Sequence, residues 1–470
     1  MTLEAARRNE HVAFFEYAES EVRAYCRKLP ALLKSAKGAV MTDVEGRTYI
    51  DLMSACGALN YGHNHPAMKA AALDHLQRDE IAAGLDFHTE AKYRFLRCLH
   101  DRILSPRKLN YKAQFTGPTG ANSIEAAIKL ARKATGRENI VAFTNAFHGV
   151  SLGALSATAS ATVRKSGRGL LSGVVRLPYD GYCGAGVSDL TRFETMALDP
   201  SGGIDPIAAF LVETVQGEGG LNVASNRWLV ELARIARKLG AVLIVDDIQA
   251  GCGRTGPFFS FERAGIVPDM VCLAKSISGS GFPMSLLLIR PDLDVWSPGE
   301  HNGTFRGNSI AFATARAALE LWTDDFRSGV HERDIILASW CGSLEQEFAG
   351  QMRSKGIGMM RGLQFARPDD ALEIAERASR SGIVIECCGP RDEVLKVMAP
   401  INIELSLFRS TLCTLAVIIR AVLDREQPLP DRLERDEAVL DAHDHGGYAI
   451  ARPELSHRVA DMEFHGLLRD

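Results

Sequence analysis

The sequence has no Cys-x-x-Cys pair and no evenly spaced cysteine framework. Its ten cysteines are scattered, and the one close pair, Cys387-Cys388, is adjacent and badly placed to bridge to itself or to grip zinc. A disulfide scaffold and a zinc knuckle are therefore excluded, and the thiols point to a reducing, cytoplasmic compartment. A basic excess is also missing: 54 Lys and Arg stand against 58 Asp and Glu, for a net charge of −4. That balance excludes a nucleic-acid-binding face. Met1 to Glu21 is charged and lacks the apolar core of a secretory signal. The most apolar late stretch, Thr411 to Leu423, is broken by Arg420 and falls short of the roughly 20 residues a membrane span needs. No repeat of about 20–50 residues is visible, which argues against solenoids and propellers. His443 and His445 lie in a polar tail, read as solvated rather than metal-binding, so no metal is expected.

What is present is a length of 470 residues, enough for two or three domains, and an ordinary soluble composition with 46% hydrophobic residues. Short apolar runs at Ile140–Phe143, Ala208–Val212, Ala241–Val245, Met270–Leu273 and Ser285–Ile289 alternate with amphipathic segments such as Ser123–Lys133 and Arg227–Leu239. This order predicts βαβ units and a largely parallel sheet covered on both faces. Ligands of such sheets bind beyond the carboxyl ends of the strands, so residues just after the runs carry most weight. The composition suggests an N-terminal arm over 1–65, containing a hairpin near Gly46–Asp51, and a large domain over 66–320. A smaller domain over 321–425 and a charged, Pro-broken tail over 426–470 follow.

Four features stand at strand ends. Lys275 follows Met270–Ala274; a lysine there is desolvated, which lowers its pKa and favours the nucleophilic amine. Asp246-Asp247 closes another run, and because neighbouring side chains of a strand face opposite ways, one Asp can enter a site while the other turns away. Thr116–Ser123 opens a helix with small residues, leaving backbone N–H groups free for a phosphate. Phe147-His148-Gly149 offers an aromatic face for a flat ring. Singly, each has a plain structural explanation: a snorkelling lysine, solvated acids, a helix cap, a core aromatic. Two decoys fail in context. Gly251–Gly256 fits a dinucleotide fingerprint, but it lies five residues beyond its strand and leads into Pro257-Phe258-Phe259 rather than a helix. Gly149–Gly153 fits a nucleophile elbow without the sharp strand-to-helix turn.

Phosphate cup, aromatic, acidic strand end and lysine appear here in an order similar to that of the fold-type-I aminotransferases. Val212–Gly220, Asp246–Gly256 and Glu300–Asn308 resemble class III of that family specifically. Within class III, Phe15–Arg23, Gly57–Asn64, Gln114–Gly120 and Asp294–His301 resemble the diaminobutyrate–2-oxoglutarate transaminases. The resemblance implies an α/β fold, with a mostly parallel central sheet in a large domain and a smaller α+β domain built from both chain ends. It implies pyridoxal 5'-phosphate as cofactor, small amino and keto acids as substrates, and a homodimer with shared active sites. Lys275 would be the Schiff-base lysine and proton shuttle, and Asp246 the partner of the pyridine nitrogen. Thr119, Gly120 and Ala121 would hold the phosphate, and Phe147 with His148 would lie against the ring. Gln249 would touch the ring hydroxyl, and Thr304 would reach the phosphate from the neighbouring subunit. Glu213, Glu218 and Lys396 would face substrate. Many class III relatives carry Arg where this chain has Lys396, which gives a point charge instead of a bidentate fork. The implied reaction moves an amino group between glutamate and aspartate 4-semialdehyde. Its product would feed ectoine or a siderophore built on 1,3-diaminopropane. The alternatives are an ornithine or 4-aminobutyrate transaminase, and a non-catalytic protein that kept the fold.

Overall fold

A computed structural model describes residues 3–184 and 189–424; the tail from 426, with His443 and His445, lies outside the described residues. The five apolar runs become five of seven strands in one sheet. In chain order these are β1 (Lys112–Gly117), β2 (Asn139–Phe143), β3 (Val174–Leu177), β4 (Ile207–Val212), β5 (Val242–Asp246), β6 (Met270–Leu273) and β7 (Ser285–Ile289). Their spatial order is β1-β7-β6-β5-β4-β2-β3. All neighbours are parallel except β7, which runs antiparallel to both β6 and β1. Every residue of β4 and β5 is buried. A strand with helices on both faces has no wet side, so its sequence reads as a continuous apolar run. The two edge strands, β1 and β3, are partly exposed and mix polar residues into the run, which hides them from a hydrophobicity scan.

Helix Gly120–Thr135 buries Ile124, Ala127, Ile128 and Ala131, the 3- and 4-residue spacing of one helical face. These side chains share a core with Ile140, Leu211, Ile244 and Leu287 of the sheet. Helix Asn226–Leu239 starts where Ser225 Oγ accepts from Trp228 N at 3.3 Å, and Gly240 ends it at φ +62°.

Both chain ends contribute to a second region, as expected. Strands Leu33–Lys37, Val40–Asp43 and Thr48–Asp51 form an antiparallel meander that contains the anticipated hairpin. Ile383–Val384, more than 300 residues on, adds a parallel strand with Ile383 opposite Ile50. A further antiparallel sheet joins Met352–Ile357, Met360–Phe365, Val394–Val397 and Glu386–Cys388. Helix Leu405–Leu423 is longer than the apolar stretch read from Thr411 and passes a membrane-span test on length and composition alone. Its Phe408, Leu412, Leu415 and Ile419 are buried, and it packs on helices Asp324–Glu347 and Pro368–Arg380. It is a core helix.

One side chain joins these regions. Arg254 has no exposed surface. Its guanidinium donates to Asn60 Oδ1 from Nε at 3.0 Å and Nη2 at 2.6 Å, and to the carbonyls of Met359 at 3.1 Å and Ala399 at 2.5 Å. Burial pushes its pKa down to about 9, opposed by the charge of Asp51. Asn60 in turn donates to the Cys252 carbonyl at 3.0 Å and, from its backbone N–H, to Ser276 Oγ at 3.1 Å. Arg254→Lys keeps a cation but cannot reproduce the fork. Buried acceptors left without donors predict a loss of about 2–4 kcal/mol of stability, read as a lower denaturant midpoint. An unchanged midpoint would mean that water or a neighbour replaces the fork.

Candidate active site

Lys275 sits immediately beyond β6. Ala274 is extended, and Lys275 itself turns to φ +51°, a left-handed conformation that costs a non-glycine residue about 1–2 kcal/mol. Ser276 holds the turn: its hydroxyl donates to the Gly57 carbonyl at 2.6 Å. The Lys275 Nζ donates to the Cys56 carbonyl at 2.9 Å. Burial, partly offset by the charge of Glu218, lowers its pKa. The carbonyl it meets lies in a strained segment, since Ser54, Ala55 and Cys56 all have φ near +50°.

Asp246 ends β5. Its Oδ2 accepts from His148 Nδ1 at 2.7 Å, and its Oδ1 accepts from Ile248 N at 3.2 Å. His148 is therefore a partner of the acid rather than only a neighbour of the aromatic face. Asp247 turns the other way, as strand alternation requires, and accepts from Ser260 N at 3.1 Å and from the Ser260 hydroxyl. Burial pushes Asp247 up to about 7. Glu213, at the end of β4, accepts from Phe147 N at 3.0 Å. Burial, reinforced by the charge of Asp246, raises its carboxyl well above the usual range.

The N-terminus of helix Gly120–Thr135 faces the same space. Asn122 N donates to the Thr119 carbonyl at 3.0 Å, and Asn122 Oδ1 braces the turn by accepting from Thr119 N at 3.1 Å, which leaves the N–H groups of Gly120 and Ala121 at the helix start without an i−4 partner inside the helix. A Cβ at Gly120 would come within 2.8 Å of Ile248 Cδ1. Gln249 donates from Nε2 to the Cys56 carbonyl at 3.0 Å and to Glu218 Oε1 at 3.3 Å, while its Oε1 is buried without a partner. A Cβ at Gly217 would overlap that oxygen, at 1.6 Å. A cavity of about 280 Å³ is lined by Thr119, Gly120, Ala121, Phe147, His148, Glu213, Glu218, Asp246, Gln249 and Lys275. Ten of the twelve sequence-nominated residues thus meet in one chain. The pyridine-ring cofactor implied by the sequence fits these donors: a buried amine, a carboxylate, a free amide oxygen and a helix N-terminus.

The other two lie elsewhere. Lys396 is wholly buried behind Glu218, 2.9 Å from its Oε1. Thr304 is exposed and outside the cavity. Burial acts to raise the Glu218 pKa, but Lys396 and Lys275 outweigh it and bring the group down to about 2. Lys396 is held well above its usual value against burial, by Glu386 and Glu218. Sequence reasoning passed over Glu386, 2.9 Å from Lys396, and the carbonyl of Cys56. An acid inside the apolar run Ile383–Cys388 was the available signal for the first; a backbone carbonyl gives none.

The raised Glu213 carboxyl fixes a pH dependence. A folded pKa above the unfolded value contributes stability at low pH that is lost as pH climbs from the unfolded pKa through the folded one. Glu213→Gln mimics the protonated form, so its melting temperature should gain on wild type as pH rises above the ordinary carboxyl range. Parallel melting curves above that range would contradict the burial argument.

Comparison with known proteins bears on the family and the fold. Residues 23–419 match the family described as Aminotransferase class-III. The chain is 52% identical over 395 residues to a diaminobutyrate–2-oxoglutarate transaminase of Vibrio cholerae, covering 83% of this chain and 95% of that one. It is 47% identical over 418 residues to an enzyme of the same name from Bordetella parapertussis, covering 88% and 96%. Among solved structures, an ornithine aminotransferase from Toxoplasma gondii superposes with a TM-score of 0.78 at 24% identity, over 91% of this chain and 100% of that one. The chain belongs to the class III aminotransferases, pyridoxal-phosphate-dependent enzymes of fold type I.

Proposed function

We propose that this aminotransferase moves an amino group between glutamate and aspartate 4-semialdehyde, forming L-2,4-diaminobutyrate and 2-oxoglutarate. The observation that carries the amino-transfer chemistry is the convergence of a buried, pKa-lowered Lys275 amine with Asp246 and a helix N-terminus in one cavity. The choice of substrate rests on the two relatives of that name.

Pyridoxal phosphate, when bound, supplies a ring that withdraws electrons from the bond being broken. Each side chain then has a task. Lys275 Nζ anchors the cofactor and, once displaced, carries a proton at that same nitrogen as base and then acid. Asp246, braced by His148, is the carboxylate that would keep a proton on the ring nitrogen of the bound cofactor. Gln249 Oε1 takes the ring hydroxyl, Phe147 covers the ring face, and Thr119, Gly120 and Ala121 receive the phosphate. Glu213 shapes the cavity wall with a carboxyl that burial disfavours as an anion. Thr304 reaches the phosphate of a second copy in a homodimer. The support for this is its exposure beside Phe305, 76% exposed, with Phe87, 67% exposed, on the segment tied to it by the Arg306–Asp86 bridge at 2.7 Å. Glu218 and Lys396 control access of a second carboxylate. The domain division at residues 65, 320 and 425, a cytoplasmic location, and a pathway making ectoine or a 1,3-diaminopropane siderophore belong to the same reading.

A panel of ω-amino donors with 2-oxoglutarate, read by mass spectrometry of products, tests the substrate. Diaminobutyrate should have the highest kcat/KM; a higher value for ornithine or 4-aminobutyrate would replace it. Lys275→Ala should stay folded yet turn over at less than about a thousandth of the wild-type rate, since it loses covalent anchoring as well as acid–base catalysis. Asp246→Asn should retain cofactor but slow the half-reaction with glutamate; an unchanged half-reaction would remove Asp246 from the ring nitrogen.

A further inference from the structure

Glu386 faces Lys396 directly across the antiparallel pair Glu386–Cys388 and Val394–Val397. Sheet register fixes these two side chains on one face. Lys396 Nζ lies 2.9 Å from Glu386 Oε1, with side-chain exposures of 0% and 5%. Glu218 closes the other side of the same ammonium at 2.9 Å, but it comes from a glycine-rich turn, lines the cavity and is 32% exposed. Two carboxylates therefore share one ammonium, which leaves one surplus negative charge beside the reacting centre.

Among the described residues, the two further groups packed on Glu386 bring no positive charge to cancel it. Cys56 Sγ is 3.7 Å from Glu386 Oε2, and burial together with Glu386 pushes its thiol upward, so it stays neutral. The Tyr25 hydroxyl contacts Cys56 at 2.9 Å and is likewise raised, by burial first. Among the residues lining the cavity, Lys275 is the one lysine or arginine; its charge helps to hold Glu218 down, but once it anchors the cofactor it is no longer a free ammonium. A plain Glu218–Lys396 pair would be neutral; the surplus comes from Glu386.

We propose that Glu386 is a specificity-determining residue: the Glu218–Lys396–Glu386 group favours an amino donor that carries a second, non-reacting ammonium. The inference rests on the diaminobutyrate reading and extends it. L-2,4-Diaminobutyrate and 4-aminobutyrate share the reacting amine and differ by an ammonium at C2, so the surplus charge separates them. At the dielectric of a partly buried site, one charge–charge contact changes affinity by about tenfold or more. Glu386 acts through Lys396 and Glu218 without lining the cavity, which makes it a positioning residue.

The test uses the cofactor-loaded, full-length protein. The ratio of kcat/KM for diaminobutyrate over 4-aminobutyrate is measured in wild type, Glu386→Gln and Glu386→Asp. The ratio should fall about tenfold or more in Glu386→Gln, chiefly through the KM for diaminobutyrate, and recover in Glu386→Asp. The rise in melting temperature on adding diaminobutyrate should shrink in Glu386→Gln relative to that with 4-aminobutyrate, which reads binding without turnover. Wild type alone gives a check that needs no variant: 4-amino-2-hydroxybutyrate, which is neutral at C2, should behave like 4-aminobutyrate. Diaminobutyrate turnover with an unchanged ratio, or a hydroxyl analogue as good as diaminobutyrate, overturns this inference alone. Failure of wild type to use either amine overturns the proposed substrate and this inference with it.

Discussion

A guanidinium with no exposed surface holds together the segments from which the site is made. Arg254 satisfies Asn60 and two carbonyls from distant parts of the chain, and Asn60 passes the constraint to Ser276. Ser276 is the residue after Lys275 and bonds the Gly57 carbonyl, so the lysine turn and the strained Ser54–Gly57 segment are fixed to each other. That coupling places the Cys56 carbonyl where it accepts from both Lys275 and Gln249. Left-handed backbone at four successive residues and at Lys275 persists because these buried hydrogen bonds over-determine it.

Desolvation then acts on Lys275, Glu213 and Glu218, and their neighbours decide the outcome. Burial lowers Lys275, and the charge of Glu218 offsets it only in part. Burial raises Glu213, and Asp246, a charge of the same sign, adds to it. Glu218 overcomes the same burial because Lys396 and Lys275 are cations. Burial and neighbouring charge thus lower an amine, raise one carboxyl and lower another within one 280 Å³ cavity.

The sheet was legible because strands buried on both faces leave unbroken apolar runs, as at Ile207–Val212 and Met270–Leu273. Strand-end chemistry was legible for a related reason: Asp246 and Lys275 are charges at the ends of such runs, where the chain leaves the core. Contacts between segments far apart in sequence were not. Glu386 meets Lys396 only through cross-strand register, and His148 becomes the partner of Asp246 only once β2 and β5 lie in one sheet. Short, partly exposed edge strands such as Val174–Leu177 carried too weak a pattern to stand out.

The central claim is that Lys275 anchors the cofactor covalently. Reducing the loaded protein with borohydride, digesting it and locating the pyridoxyl mass by peptide sequencing in a mass spectrometer tests this directly. The modification should fall on the lysine of Met270–Ser278 in stoichiometric yield. Its appearance on Lys396 or any other lysine, or on none, would contradict the account.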